Sequence, residues 1–208
     1  MPPVTTCRRL TLALAAAIAT IAATAGPALA GAPAAGCPAA ATSNPFMQWG
    51  DAADYQLAPG GDVEDAGASW SLSGGAGAAE GNESFMVTSP TDHMSLRLPA
   101  SSSATTKRMC IGAEHPSFRF FAKRDGGAAY SRLLVEVVFA DASGRQRSIP
   151  VGLVQSSANW APTKPLPTIV NRLASADTNT IDVSFRFRPQ GSGTWSIDDV
   201  YVDPMRGI

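Results

Sequence analysis

Ile181-Asp182-Val183-Ser184-Phe185-Arg186-Phe187-Arg188 is the stretch that decides the fold. Ile181, Val183, Phe185 and Phe187 fall on one side, and Asp182, Ser184, Arg186 and Arg188 on the other. A strict period of two means a strand with one buried and one wet face. Upstream, residues 133–140 carry Leu133, Val135, Val137 and Phe139 on one side and Leu134, Glu136 and Val138 opposite, which predicts a central strand covered on both faces. Further strands are expected at 70–72, 84–88, 93–98, 117–123, 147–153 and 194–202. Between them lie turn clusters such as Pro59-Gly60-Gly61, Ser73-Gly74-Gly75, Asp125-Gly126-Gly127 and Gln190-Gly191-Ser192-Gly193. Many short strands broken by such turns spell a sandwich or barrel. One helical turn is expected at 171–176, after a Pro-rich stretch at 162–167 that reads as loop.

Composition agrees with an all-β chain. Of 208 residues only 16% are charged, with 19 Gly and 16 Pro, and 45% are hydrophobic. Those proportions suit a turn-rich, cored domain better than a helical bundle or a disordered chain. The 16 Lys and Arg nearly balance the 17 Asp and Glu, for a net charge of -1. No basic field exists to hold nucleic acid.

The first 30 residues read as an export signal. Arg8 and Arg9 precede an uncharged apolar run, and Ala28-Leu29-Ala30 gives the small-x-small cleavage pattern. A membrane anchor is the competing reading, because the run nearly reaches spanning length. The expected layout is a signal peptide at 1–30, a flexible Ala/Pro/Gly leader at 31–44 and one β-sandwich domain at 45–208. That layout predicts a secreted protein with no membrane attachment after cleavage. Cys7 departs with the signal, leaving Cys37 and Cys110 as an even pair in an oxidising compartment, where a disulfide is expected. Ala35-Gly36-Cys37 also looks like the end of a lipobox, but Ala34 stands where Leu is usual and the apolar run ends too early.

Charge is uneven along the chain. Between residues 31 and 96 there are eight acids (Asp51, Asp54, Asp62, Glu64, Asp65, Glu80, Glu83, Asp92) and no Lys or Arg. These acids either face basic strands across a sandwich or converge on a hard cation. The ending Trp195-Ser196-Ile197-Asp198-Asp199-Val200-Tyr201-Val202 sharpens the second option. If Trp195 and Ile197 face the core, alternation sends Asp199 inward too, where an unpaired carboxylate is too costly to persist. Calcium is the natural extracellular counter-ion, and the acidic loop 62–65 can supply partners. A bulge that turns Asp198 and Asp199 to solvent is the alternative.

That Ile-Asp-Asp-Val ending resembles the last strand of galactose-binding-like jelly rolls, including the family 4 and family 22 carbohydrate-binding modules. Gly61-Asp62-Val63-Glu64-Asp65-Ala66-Gly67 followed by Trp70 is similar to their opening pattern, with Val63 replacing the usual Phe. The resemblance implies a jelly-roll sandwich, and a structural calcium held by Glu64 and by Asp198 or Asp199. The chain also resembles a group of uncharacterised exported actinobacterial proteins through Gly81-Asn82-Glu83-Ser84-Phe85, Met109-Cys110-Ile111-Gly112 and His115-Pro116-Ser117-Phe118-Arg119-Phe120-Phe121.

Sugar recognition needs aromatic faces framed by a few polar groups. Trp70 and Trp195 lie in core-like patterns. Trp160, between a polar run and the Pro-rich stretch, is the leading candidate for ligand contact, followed by Tyr130 and Trp49. His93 and His115 each adjoin an acid, but no Gly-x-Ser-x-Gly elbow accompanies them, and no catalytic residue is assigned. The expected function is non-catalytic recognition of an extracellular glycan or cell-envelope polymer. The alternatives are a structural or protein-interaction component of the cell surface without a sugar site, and a hydrolase whose site assembles only in three dimensions.

Overall fold

The computed structural model describes residues 36–176 and 178–203. The signal peptide expected at 1–30 and leader residues 31–35 lie outside the described residues. Among the described residues thirteen strands follow in order: β1 (Gln56–Leu57), β2 (Trp70–Ser73), β3 (Gly77–Glu80), β4 (Met94–Leu98), β5 (Ser103–Thr106), β6 (Met109–Gly112), β7 (Ser117–Gly126), β8 (Arg132–Ala140), β9 (Gln146–Val154), β10 (Ala161–Pro162), β11 (Leu166–Pro167), β12 (Thr180–Gln190) and β13 (Thr194–Asp203). A helical turn, α1 (Val170–Leu173), precedes β12. No helix among the described residues is long and apolar enough to cross a membrane.

The strands form two antiparallel sheets of a jelly-roll sandwich. The first runs β10-β7-β13-β4-β3, with β1 and β11 added beside β13 and β7; the second runs β2-β5-β12-β8-β9, with β6 beside β12. The expected alternation holds where it decides the fold. Phe185 and Phe187 of β12 are fully buried and meet rings from β7: Phe118 stacks on Phe185 at 4.0 Å, and Phe120 meets Phe187 edge-on at 4.9 Å. Each such side chain taken from water contributes roughly 1.5–3 kcal/mol. As expected, β8 is covered on both faces: Val135 and Val137 lie in the inter-sheet core, while Glu136 is buried opposite them. Its carboxylate is gripped by Arg186 through two bonds of 2.8 and 3.0 Å and accepts from Ser148.

Two expectations need correction, and two strands arise that alternation does not announce. Residues 84–88 form no strand but a looped segment between β3 and β4. Residues 162–167 are not all loop, since Pro162 and Pro167 end two short edge strands paired to β7, where a missing N–H is tolerated. Gly/Ala-rich β3 and Ser/Thr-rich β5 lack the apolar alternation that would have announced them, and they form because neighbouring strands offer ladders.

The expected disulfide joins Cys37 to Cys110 on β6. It tethers a segment that crosses to the outer face of the first sheet. Ser43 and Tyr55 exchange backbone hydrogen bonds there, and Phe46 is fully buried against Phe121 at 5.5 Å and Tyr55 at 4.8 Å. Arg119 fastens the segment further: it donates to Asp51 at 2.6 Å while its guanidinium lies 4.1 Å from the Phe46 ring centre. The result is a second, smaller core of Phe46, Tyr55, Phe121 and Tyr201 outside the sandwich.

Candidate functional site

Alternation along β7 creates the site. Phe120 faces the sandwich interior, so Phe121 faces outward and seeds the second core. Three rings with part of their surface in water gather on it. Trp49 packs edge-on against Phe121 at 5.3 Å and against Phe85 at 4.8 Å. Phe85 is 38% exposed and lies 5.8 Å from Phe121. Trp160, half-buried, packs against the same core, with the Lys123 amine 5.0 Å from its ring centre. Lys123 also pairs with Asp125 at 3.2 Å, and Asp125 accepts from Ser196, so the flank beside Trp160 is polar. Of the aromatic residues expected to meet ligand, Trp49 and Trp160 are thus brought to one surface. Tyr130 is not among them; it stands 75% exposed between β7 and β8.

Behind this surface, β13 breaks its ladder between Asp198 and Tyr201. Simple alternation does not carry through the break, because Asp199 adopts φ 51° and Val200 takes the next core position. Aspartate is among the few residues that tolerate this left-handed region. The loop at Gly61 seals the bulge: Val200 donates to Gly61 O at 3.1 Å, and a Cβ on Gly61 would sit 2.7 Å from the Val200 oxygen. Only glycine fits there.

Both bulge carboxylates are fully buried, beneath the segment joining β3 to β4 rather than inside the main core. Asp198 accepts from the backbone N–H of Glu83 at 3.0 Å and from that of Asp199 at 2.9 Å. Asp199 accepts from Thr88 Oγ1 at 2.5 Å, and its other oxygen, Oδ2, has no partner. Two more buried oxygens are orphaned in the same segment, Asp92 Oδ2 and Asn82 Oδ1. Burial, together with the neighbouring Asp199, pushes the Asp198 carboxyl up to about 9. Burial also lifts Asp199 to about 7 against the opposing Thr88 bond, with Glu83, Asp92 and Asp62 adding to the rise. Asp92 is raised as well, by burial and then by Glu64 and Asp62.

Glu64 stands one step further out. Its Oε1 accepts from the backbone N–H groups of His93 and Met94 at 2.8 and 2.7 Å, and its Oε2 lies 2.8 Å from His93 Nδ1. It ties the acidic loop to the start of β4 and presses electrostatically on Asp92. The other histidine, His115, is buried, and its Nδ1 accepts from Gly112 N–H. Glu114 and Cys37 lie beside it, but the Cys37 sulfur is committed to the disulfide.

The sequence singles out neither Asn82, Thr88 nor Phe85 for the site, and it offers Glu83 and Asp92 only as members of the acid-rich stretch. The concentration of acids before residue 96 was the available signal for Glu83 and Asp92, and nothing in local spacing marks the others.

The fold and the pinned rings define a class: an all-β jelly-roll sandwich with an aromatic surface over one sheet. No family model matches the chain, and no curated protein matches it, so the likeness to exported actinobacterial proteins gains no support. Among solved structures, the tandem CBM22-1–CBM22-2 domain of Paenibacillus barcinonensis Xyn10C is similar over 73% of this chain and 44% of its own, at 12% identity and TM-score 0.48. The CBM22-1 xylan-binding domain of the same Xyn10C is similar over 67% and 87%, at 12% identity and TM-score 0.45. The CBM22-1–GH10 modules of Clostridium thermocellum endo-1,4-beta-D-xylanase 10B, complexed with xylohexaose, match over 66% of this chain at 11% identity and TM-score 0.46, and this chain spans only 26% of theirs.

Proposed function

We propose that this chain is an exported, non-catalytic module that binds an extracellular glycan or cell-envelope polymer on the surface formed by Trp49, Phe85 and Trp160. One observation carries the reading: three part-exposed rings are held by a common buried cluster, with the polar Lys123 and Asp125 alongside. Aromatic faces pinned from beneath can stack on pyranose rings without losing side-chain freedom, and adjacent polar groups can orient hydroxyls. The Cys37–Cys110 disulfide supports an oxidising location outside the cytosol.

The same reading includes a hard divalent cation, calcium by its chemistry, among the buried acids behind the rings. The orphaned oxygens of Asp199, Asp92 and Asn82 are acceptors only, buried and among carboxylates, which is a donor set suited to such an ion. Among the described residues these acids do not bring three ligand atoms within 4.8 Å of one another, so backbone carbonyls and water would complete the shell. Asp199 and Asp92 would hold the ion, Asp198 and Glu64 would brace the backbones beside them, and the ion would supply positive charge to Asp199 and Asp92, which form no salt bridge of their own among the described residues.

A glycan array followed by polysaccharide pull-down tests the ring surface. Trp160→Ala and Phe85→Ala should each weaken binding about tenfold, the loss of one stacked ring, roughly 1.5 kcal/mol. Tyr130→Ala should bind as the unaltered chain does. Undiminished binding by both ring variants would remove this surface from the account.

A second reading is favoured by Met47 and Met86, which are 55% and 46% exposed. Exposed methionines are adaptable contacts for protein partners. A protein-interaction component of the cell surface would give no glycan signal in the array yet would lose its partner on Phe85→Ala.

A further inference from the structure

The segment Asn82–Asp92 links the buried bulge acids to the rings through an internal brace. At its start, Gly81 N–H donates to His93 O at 2.8 Å and Glu83 N–H to Asp198 at 3.0 Å. Near its end, Thr88 Oγ1 lies between Asp199 Oδ1 at 2.5 Å and Tyr201 Oη at 2.7 Å. Between these points the fully buried Glu83 carboxylate turns back on its own loop, accepting from Phe85 N–H at 2.5 Å and Val87 N–H at 2.7 Å. Met86, at φ 52°, makes the turn that this requires. Phe85 is thereby set against Trp49.

Two of the three orphaned oxygens, on Asn82 and Asp92, belong to the two ends of this segment, and the third, on Asp199, belongs to the strand beneath. A cation touching them would close the loop onto β13 at both ends. With no cation, the buried carboxylates of Glu83, Asp92, Asp198 and Asp199 form no salt bridge among the described residues, Asp92 Oδ2 and Asp199 Oδ2 stay unpartnered, and the cost of burying them opposes the closed loop.

We infer that Asn82–Asp92 is a coupling strap: a divalent cation bound between Asp92 and Asp199 fixes Phe85 against Trp49, with Glu83 as the positioning residue that transmits the closure. This rests on the ring-surface reading for its ligand half only. By linkage, a glycan seated on the rings must tighten the cation by the same factor that the cation tightens the glycan. Glu83 needs no contact with either, because its carboxylate is spent on the two amides that shape the loop.

Amide hydrogen exchange of the full mature chain, with calcium or with chelator, tests the strap without any glycan. Calcium should slow exchange at Phe85 and Val87 at least tenfold in the unaltered chain and leave Asp92→Asn unchanged. Glu83→Gln, which loses an acceptor, should exchange rapidly at both amides even with calcium bound, and its glycan affinity should fall about tenfold. A second arm measures glycan affinity with and without calcium. Calcium binding that leaves both amides unprotected would overturn the coupling while the ring surface stands. Protection by calcium with no glycan bound under either condition would remove the ring-surface reading and, with it, the ligand half of the coupling. No calcium effect on either amide, and none on melting, would overturn the strap altogether.

Discussion

Replacing Cys37 and Cys110 together by serine should lower the unfolding free energy by about 4 kcal/mol, the chain-entropy contribution of a bridge this far apart in sequence, 73 residues. The melting temperature should drop by roughly 10 °C for a domain of this size. The cost is large because the bridge holds a segment with little secondary structure of its own. From Ser43 to Tyr55 the chain makes a single bridge, a three-residue 3-10 turn at Met47–Trp49 and side-chain contacts. Yet this segment delivers Phe46 to the second core and Trp49 to the ring surface. Urea unfolding of the double variant gives the stability change, and glycan affinity measured alongside should fall as Trp49 loses its support. A loss below about 1 kcal/mol, with affinity kept, would show that the Phe46 and Arg119 contacts hold the segment unaided.

In the presence of chelator, stability should fall as pH rises from about 6.5 to 8.5, by roughly 1–3 kcal/mol in total. The sign follows from the raised carboxyls of the bulge. Asp198, at about 9, and Asp199, at about 7, keep protons in the folded chain that they release near 3.8 when unfolded. A folded value above the unfolded one gives stability that is full in acid and lost as pH climbs toward the folded value. Glu83 and Asp92 are raised for the same first cause, burial, and act in the same sense. Tyr201, joined to Asp199 through Thr88, is pushed up to about 12 by burial and stays protonated throughout. His115 is lowered by burial and so acts oppositely, but only below its ordinary 6.5, outside the window. Calcium should reverse the trend, because the proposed ion would bind the ionised carboxylates and gain affinity as they lose protons. Thermal melts across the window should therefore slope downward with chelator and run flat or upward with calcium. Identical slopes under both conditions would contradict a cation in the pocket.

The period of two was enough to place the sandwich. Expected at 181–188 and 133–140, the two central strands extend to Thr180–Gln190 and Arg132–Ala140, because apolar alternation is the local imprint of a buried face. The same rule fails at 84–88. There Glu83 captures the amides of Phe85 and Val87 that a ladder would have needed, a competition that composition does not display. Asp199 shows a subtler limit. Its burial was expected from phase, but a bulge resets the phase, and the carboxylate is enclosed by a distant loop on the other face of the sheet. Trp49 and Trp160 were each legible as candidates; their gathering on the second core depends on two long excursions of the chain meeting there, which spacing cannot convey.

Titration of calcium into metal-stripped protein by calorimetry, near neutral pH, bears most directly on the proposed cation among the buried acids beneath the rings. The account predicts saturable binding to the unaltered chain, accompanied by proton release as Asp199 and Asp198 ionise, and no such binding to Asp199→Asn. Absence of binding to the unaltered chain, or equal binding to the variant, would contradict it.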